Sequence, residues 1–164
     1  MCIRDSWEAG QPHGMRPGGY RAIDSMRLEK GYRVWGTDIT PETSPLEAGL
    51  GFAVEWDKPG GFNGLEALLE QREAGPERRL RCVVLDEPRS IAFGDEPVRI
   101  GDDVLGRVTS GGYGHRVGSS IAFAYLPAEV EIGTRVEVGV FGRWVGAEIV
   151  KDPIYDPKME RVRT

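Results

Sequence analysis

Apolar positions change their period near residue 75. Over 20–30 they recur at helical spacing, with Ile23, Met26 and the stem of Lys30 on one face and Ala22 beside them. Gly31 supplies the stop. Residues 41–48 read as a turn leading into a single helical turn, capped by Ser44 with Pro45 at its first position. Residues 50–56 read as a strand. Asn63 is placed to cap a helix over 64–73, with Glu66 at the capping-box position and Leu65, Leu68 and Leu69 as its buried face. Ala74-Gly-Pro-Glu77 ends that helix and marks the best boundary in the chain.

Beyond the boundary the period falls to two. Leu80, Cys82 and Val84 alternate with Arg79, Arg81 and Val83. Residues 98–100 and 104–109 read as a hairpin around Gly101-Asp-Asp103, and 119–126, 135–141 and 144–150 as three more strands, the last two joined at Gly142-Arg143. About five or six short strands at this spacing predict a small antiparallel β-barrel. The fold class is therefore α+β, with the helices confined to the first half.

Composition narrows the function classes. The formal charge is −5 with both signs interspersed, so no basic stripe offers itself to nucleic acid. The longest apolar stretches, such as 121–126, are too short to cross a bilayer, and the first residues have no signal-peptide core, which makes a cytoplasmic protein the default expectation. Cys2 and Cys82 stand far apart, as in a reduced protein, and Cys82 falls in a strand pattern that predicts core packing. The 23 glycines punctuate apolar runs and predict many tight turns.

Several motifs occur in a fixed order. Trp7-Glu-Ala-Gly-Gln-Pro-His-Gly14 is followed by Arg21-Ala-Ile-Asp-Ser-Met-Arg-Leu-Glu29, Lys30-Gly-Tyr-Arg-Val-Trp-Gly36 and Pro45-Leu-Glu-Ala-Gly-Leu-Gly-Phe-Ala-Val54. Asp152-Pro-Ile-Tyr-Asp-Pro157 closes the series. Together they resemble the folate-binding part of the glycine-cleavage aminomethyltransferase superfamily. Tyr32-Arg-Val-Trp-Gly36 and Thr109-Ser-Gly-Gly-Tyr-Gly114 look most like the C-terminal portion of the FAD-dependent dimethylglycine and sarcosine dehydrogenases. The resemblance enters the family pattern in its middle, so it implies a fragment. Residues 1–6 fall outside it as an unmatched leader, 7–76 correspond to the C-terminal part of the folate-binding domain, and 77–164 to the terminal β-barrel domain. Trp7 to Ala9 read as the end of a helix whose beginning is missing.

The resemblance implies tetrahydrofolate as cofactor and an N-methyl amine-derived one-carbon unit as the group transferred, giving 5,10-methylene-tetrahydrofolate. FAD belongs to the parent protein only; this chain has no dinucleotide fingerprint. The family's catalytic Asp lies in an earlier stretch, so no catalytic residue is expected here and the isolated chain is expected to be inactive. Its partners would be the missing N-terminal domains of the same enzyme, whose absence should leave an apolar face exposed over residues 7–72. Two rivals remain: an aminomethyltransferase of glycine cleavage or a related folate-linked demethylase, and a non-catalytic folate-binding module.

Glu29 is the leading site residue. A reduced pterin presents adjacent N–H donors, and one carboxylate can accept two of them as a charge-assisted pair; in the resembled family the Glu of Arg27-Leu28-Glu29 has this role. The competing reading is a surface Glu ion-paired with Lys30 or Arg33. Arg27 either supports Glu29 or pairs with a carboxylate, with Asp24 one turn before it. Tyr20, Tyr32 and Trp35 are aromatics able to flank a flat ring. Lys58, in Trp56-Asp-Lys58, would meet the folate's glutamate tail or belong to an ion-paired loop. Glu47 reads as a carboxylate stabilising a helix N-terminus.

The glycine-rich stretch 108–118 lacks both a Walker lysine and a following helix, which excludes a phosphate loop. By the resemblance it is a barrel hairpin facing the folate domain, with Tyr113, His115 and Arg116 lining the cleft. Tyr155 would pack against the folate end or strap the tail to the barrel. His13 and His115 lack companions for a metal site and read as loop hydrogen-bonding residues.

Overall fold

The computed structural model describes residues 2–161. Met1 of the 1–6 leader and the last three residues of the 77–164 segment lie outside that range. Helix α1 (Ile3–Gly10) and a short 3-10 turn (Gln11–His13) precede α2 (Tyr20–Glu29). After an irregular stretch comes α3 (Leu65–Ala74), then six strands: β1 (Arg78–Leu85), β2 (Pro97–Ile100), β3 (Asp103–Gly114), β4 (Ser119–Pro127), β5 (Arg135–Val140) and β6 (Arg143–Val150). The strands close into an antiparallel barrel in the order β1-β4-β3-β2-β5-β6. Closure removes sheet edges, which lets so small a sheet stand as a unit.

The barrel interior is filled by branched and small side chains: Val83 and Leu85 from β1, Ala122, Ala124 and Leu126 from β4, Val136, Val138 and Val140 from β5, and Val145, Ala147 and Ile149 from β6. Strand alternation sends the other residues of β1 and β4 outward. There Leu80, Cys82, Ile121 and Phe123 form a second buried cluster, closed from above by Leu28 of α2. β4 is thus buried on both faces, which is why its sequence reads as a continuous apolar run rather than an alternation. Cys82 is core, as its pattern predicts, and burial pushes its thiol pKa upward.

Helix α2 ends in a Schellman motif. The Tyr32 N–H donates to the Arg27 carbonyl at 2.9 Å and the Gly31 N–H to the Leu28 carbonyl at 3.1 Å, with Gly31 at φ 69°. One helical turn follows at Ser44, where the predicted cap forms a reciprocal box: the Glu47 N–H donates to Ser44 Oγ at 3.1 Å, and the Ser44 N–H donates to Glu47 Oε2 at 2.8 Å. Glu47 Oε1 also accepts from Arg78 Nε at 2.8 Å, tying this turn to the first barrel strand.

Four local expectations are corrected. Residues 50–56 form no strand. Their backbone is spent on tight turns, with Leu50 donating to the Pro45 carbonyl and Ala53 to that of Leu50, and Gly51–Ala53 is a 3-10 turn. Asn63 does not cap α3; Gly64, at φ 89°, occupies the cap with no side-chain hydrogen bond. No residue of α3 is fully buried, so Leu65, Leu68 and Leu69 are only half covered. Finally, the β5–β6 turn is Phe141-Gly142 rather than Gly142-Arg143. Val140 pairs with Arg143, and both turn residues have positive φ, the geometry that matches hairpin twist.

Candidate functional site

The last turn of α2 lies along the outer face of β3 at three successive positions. At the top, Arg27 Nη1 donates to Ser110 Oγ at 2.9 Å. In the middle, Leu28 covers Gly112, where an added Cβ would come within 3.0 Å of Leu28 Cδ1. At the bottom, Glu29 meets Gly114, where a Cβ would stand 3.0 Å from both Glu29 Cγ and Oε1. Ser110, Gly112 and Gly114 are alternate residues and so share one strand face. Two of the three lack a side chain, and that absence lets the helix come this close.

Glu29 is 3% exposed. Its Oε1 accepts the backbone N–H of Arg116 at 2.6 Å and of Val117 at 3.1 Å. Neither Lys30 nor Arg33 pairs with it: Lys30 bonds Asp156, and Arg33 bonds Asp152. The surface or ion-paired reading therefore does not hold. Charge-assisted bonds from two main-chain amides fix the carboxylate rigidly. Both lone pairs of Oε1 are engaged, while Oε2 accepts no hydrogen bond among the described residues. Side-by-side pairing of both oxygens with one partner would require the amides to release Oε1. The Tyr155 N–H donates to the Glu29 carbonyl at 3.0 Å, so the C-terminal tail straps the same helix end.

Arg27 pairs with a carboxylate that sequence reasoning passed over. Asp38, 0% exposed, accepts Arg27 Nη1 at 2.8 Å and the Val34 N–H at 3.0 Å on Oδ2. Its Oδ1 accepts Thr109 Oγ1 at 2.5 Å and Ser110 Oγ at 2.6 Å, and its carbonyl accepts Tyr125 Oη at 2.8 Å. Adjacent strand residues normally point to opposite faces. A β-bulge between Val108 and Ser110 breaks that rule and puts both hydroxyls on one carboxylate. The only available signal in the sequence was an Asp in a Gly-Thr-Asp-Ile loop, which reads as an ordinary turn residue.

A cleft of about 430 Å³ opens between α2 and β3, lined among others by Arg21, Arg27, Phe93, Tyr113 and His115. The Tyr113 and His115 rings meet edge-on at 5.1 Å. Of the predicted site residues, Arg27, Tyr113 and His115 line this cleft. Glu29, Arg116 and Tyr155 do not, and among the described residues Tyr155 bonds the helix through its backbone N–H alone. Nor does Tyr20: it opens the helix, 84% exposed, and nine residues place it about 13 Å along the axis from Glu29. Lys58 sits exposed in the loop before α3; its carbonyl accepts the Gly61 N–H at 2.9 Å, and its side chain has no hydrogen bond or ion pair among the described residues. Tyr20, Ile23, Met26, Tyr32 and Trp35 all stand more than half exposed, so the apolar face named from helical spacing turns outward, away from the barrel. No group of metal-ligating side chains occurs among the described residues, and none of their helices is long and apolar enough to cross a membrane.

A closed six-stranded barrel with a helix docked on its outer wall through a buried carboxylate defines an aminomethyltransferase-like region, and comparison with known proteins agrees. The family model described as the glycine cleavage T-protein C-terminal barrel domain matches residues 78–156, and that described as the GCVT N-terminal domain matches 3–58. The chain belongs to the glycine-cleavage aminomethyltransferase superfamily. It is 43% identical to 4-methylaminobutanoate oxidase (formaldehyde-forming) of Paenarthrobacter nicotinovorans, over 96% of this chain and 19% of that protein. It is 38% identical to mitochondrial dimethylglycine dehydrogenase of Rattus norvegicus, over 94% of this chain and 18% of that one. Against the crystal structure of the glycine cleavage system aminomethyltransferase T from Bartonella henselae the TM-score is 0.76 at 31% identity, covering 83% of this chain and 38% of that one. The chain thus spans about a fifth of the length of the oxidase and dehydrogenase relatives.

Proposed function

We propose that this chain is the tetrahydrofolate-binding C-terminal portion of an N-methylglycine dehydrogenase-like enzyme, acting on dimethylglycine or sarcosine. The oxidised one-carbon unit passes to tetrahydrofolate, giving 5,10-methylene-tetrahydrofolate. Residues 7–76 belong to the folate-binding domain and 77–164 to the terminal barrel. The observation that carries the reading is Glu29: a buried carboxylate, oriented by two amides on Oε1, whose Oε2 accepts no hydrogen bond among the described residues and is assigned to the N–H edge of a pterin. Tyr113 and Arg27 line the neighbouring cleft, and Tyr155 closes the helix end. Tyr20 and Lys58 would reach the ligand only across a surface completed by other domains. Tetrahydrofolate would supply the nucleophilic nitrogens that take up the one-carbon unit. This chain's own residues bind and orient it, and enclosing the site keeps water from the reactive carbon. FAD and the amine site belong to other domains of the same polypeptide, a view supported by the length of the relatives.

A glycine-cleavage aminomethyltransferase is the second reading, favoured by the match to the Bartonella structure and by 39% identity to the aminomethyltransferase of Symbiobacterium thermophilum. The source DNA upstream of residue 1 separates the two. A Gly-x-Gly-x-x-Gly strand-to-helix motif several hundred residues away supports the dehydrogenase, whereas a start after about half a folate domain supports the aminomethyltransferase. The site itself is tested by calorimetric titration with 5-formyl-tetrahydrofolate. Binding is expected to weaken by about tenfold or more in Glu29→Ala, the value of a charged hydrogen bond. Binding that survives the substitution sinks the assignment of Glu29, and a chain that binds no folate at all sinks the folate reading.

A further inference from the structure

We infer that Asp38 is a positioning residue for the site: acting through Arg27, it sets where Glu29 sits on the barrel. The inference rests on the folate reading for its functional consequence but not for its geometry. Four donors saturate the Asp38 carboxylate: Arg27 Nη1 and the Val34 N–H on Oδ2, Thr109 Oγ1 and Ser110 Oγ on Oδ1. No lone pair is left for a ligand, so Asp38 is no binding group itself. What it joins matters instead. Arg27 belongs to the last turn of α2, Val34 to the segment leaving that helix, and Thr109 and Ser110 to β3. One buried carboxylate thus ties the helix end, its exit and the strand beneath into a single body.

Glu29 lies two residues beyond Arg27 and bonds the turn just past the far end of the same strand, at Arg116 and Val117. Between these two anchors Leu28 lies over the bare backbone of Gly112, and Ser25 Oγ, one helical turn earlier, donates to the Tyr113 carbonyl at 2.7 Å. No side chain at 112 or 114 can act as a stop against sliding, so the helix register on β3 rests on hydrogen bonds: one from Ser25 to the Tyr113 backbone, and the four-donor cluster of Asp38. The cluster is the only one of the two that joins helix end, exit segment and strand through side chains, with Glu29 reading out the result at the far end. The β-bulge at Thr109 is the feature that makes this possible, because without it only one of the two hydroxyls would face the carboxylate.

The test is amide hydrogen exchange, followed by NMR in the full chain, for Asp38→Asn and for the milder Thr109→Val, which removes one donor while keeping the side-chain shape. Val138→Ala, in the barrel interior, serves as a control for simple loss of stability. In the Asp38 and Thr109 variants, the Arg116 and Val117 amides are expected to exchange about tenfold faster relative to the barrel amides of Ala122 and Ala124, because local opening is decoupled from global unfolding. In Val138→Ala all four should shift together. If Arg116 and Val117 lose protection only in step with the barrel in every variant, Asp38 is structural and the inference is overturned. Should Asp38→Asn fail to fold, Thr109→Val alone decides. The same proteins titrated with 5-formyl-tetrahydrofolate should show weakened binding in parallel with the amide effect; unchanged binding beside lost protection overturns the functional link. If the parent chain binds no folate, the folate reading fails while the exchange data still decide whether Asp38 positions Glu29.

Discussion

Truncating Leu28 to Ala should undock the end of α2 while leaving the barrel closed. Leu28 is 1% exposed and caps the outer cluster of Leu80, Cys82, Ile121 and Phe123. Removing three carbons forfeits roughly 0.8 kcal/mol of transfer free energy for each. A cavity term adds to this, since Gly112 beneath has no side chain to fill the gap. Partial settling of the helix end works the other way. The expected loss is about 3 kcal/mol, within the usual Leu→Ala range. For a chain of this size that is a fall in Tm of roughly 6–12 °C. Urea titration followed by circular dichroism measures the loss, and exchange at the Arg116 and Val117 amides shows whether Glu29 moves with it. A loss below about 1 kcal/mol would mean that α2 is not held by this contact, and the account of how Glu29 is positioned would be wrong.

Further outcomes follow from the same geometry. Gly114→Ala places a Cβ 2.7 Å from Ile121 Cδ1 and 3.0 Å from Glu29 Oε1, so it should cost about 1–3 kcal/mol by overpacking and weaken folate binding; a variant as stable as the parent in urea refutes it. Burial raises the Glu47 pKa, but the Ser44 N–H and the Arg78 guanidinium outweigh that, and the net shift is downward. A lowered folded pKa stabilises the fold above the unfolded value of about 4.3 and is lost as pH falls through the folded one, so Glu47→Gln should flatten the acid limb of stability measured between about pH 5 and 3. An acid limb of unchanged slope would count against that box. In the folded chain Cys2, exposed, should react with a thiol reagent while Cys82 stays inert until urea is added; two fast thiols would contradict the packing. The outward face bearing Tyr20, Ile23 and Met26 should bind a hydrophobic dye or drive self-association, and a monomeric, dye-negative chain in sedimentation would argue against it.

Much of this was legible along the chain. Short apolar runs located all six strands, alternating where one face is buried and continuous in β4, which is buried on both. Gly31 ended α2 because its Schellman motif needs a positive φ there. Ser44 and Glu47 found each other because a capping box spans only three residues. Where local signals conflicted with packing, the reading failed. Residues 50–56 carry strand-like apolar residues but turn on themselves, since no sheet edge is free to receive them. Asn63 yielded its cap to Gly64.

The site divides along the same line. Glu29 stood out through the motif around it, and the chemistry of a carboxylate near a helix end is local. That its Oε1 is held by the Arg116 and Val117 amides could not be read from order in the chain, because the bond joins positions 87 and 88 residues apart. Asp38 was invisible for the same reason: its partners come from a helix, a loop and a bulged strand, and the bulge is a property of pairing rather than of composition. Sequence alone determined the six strands, helix α2 and most of α3, where the barrel begins and which family the motifs resemble, since period, turn chemistry and capping act over a few residues. Only the tertiary structure decided which carboxylate is held by two backbone amides and which is saturated by four donors, because that choice depends on close approach over Gly112 and Gly114 and on long-range register.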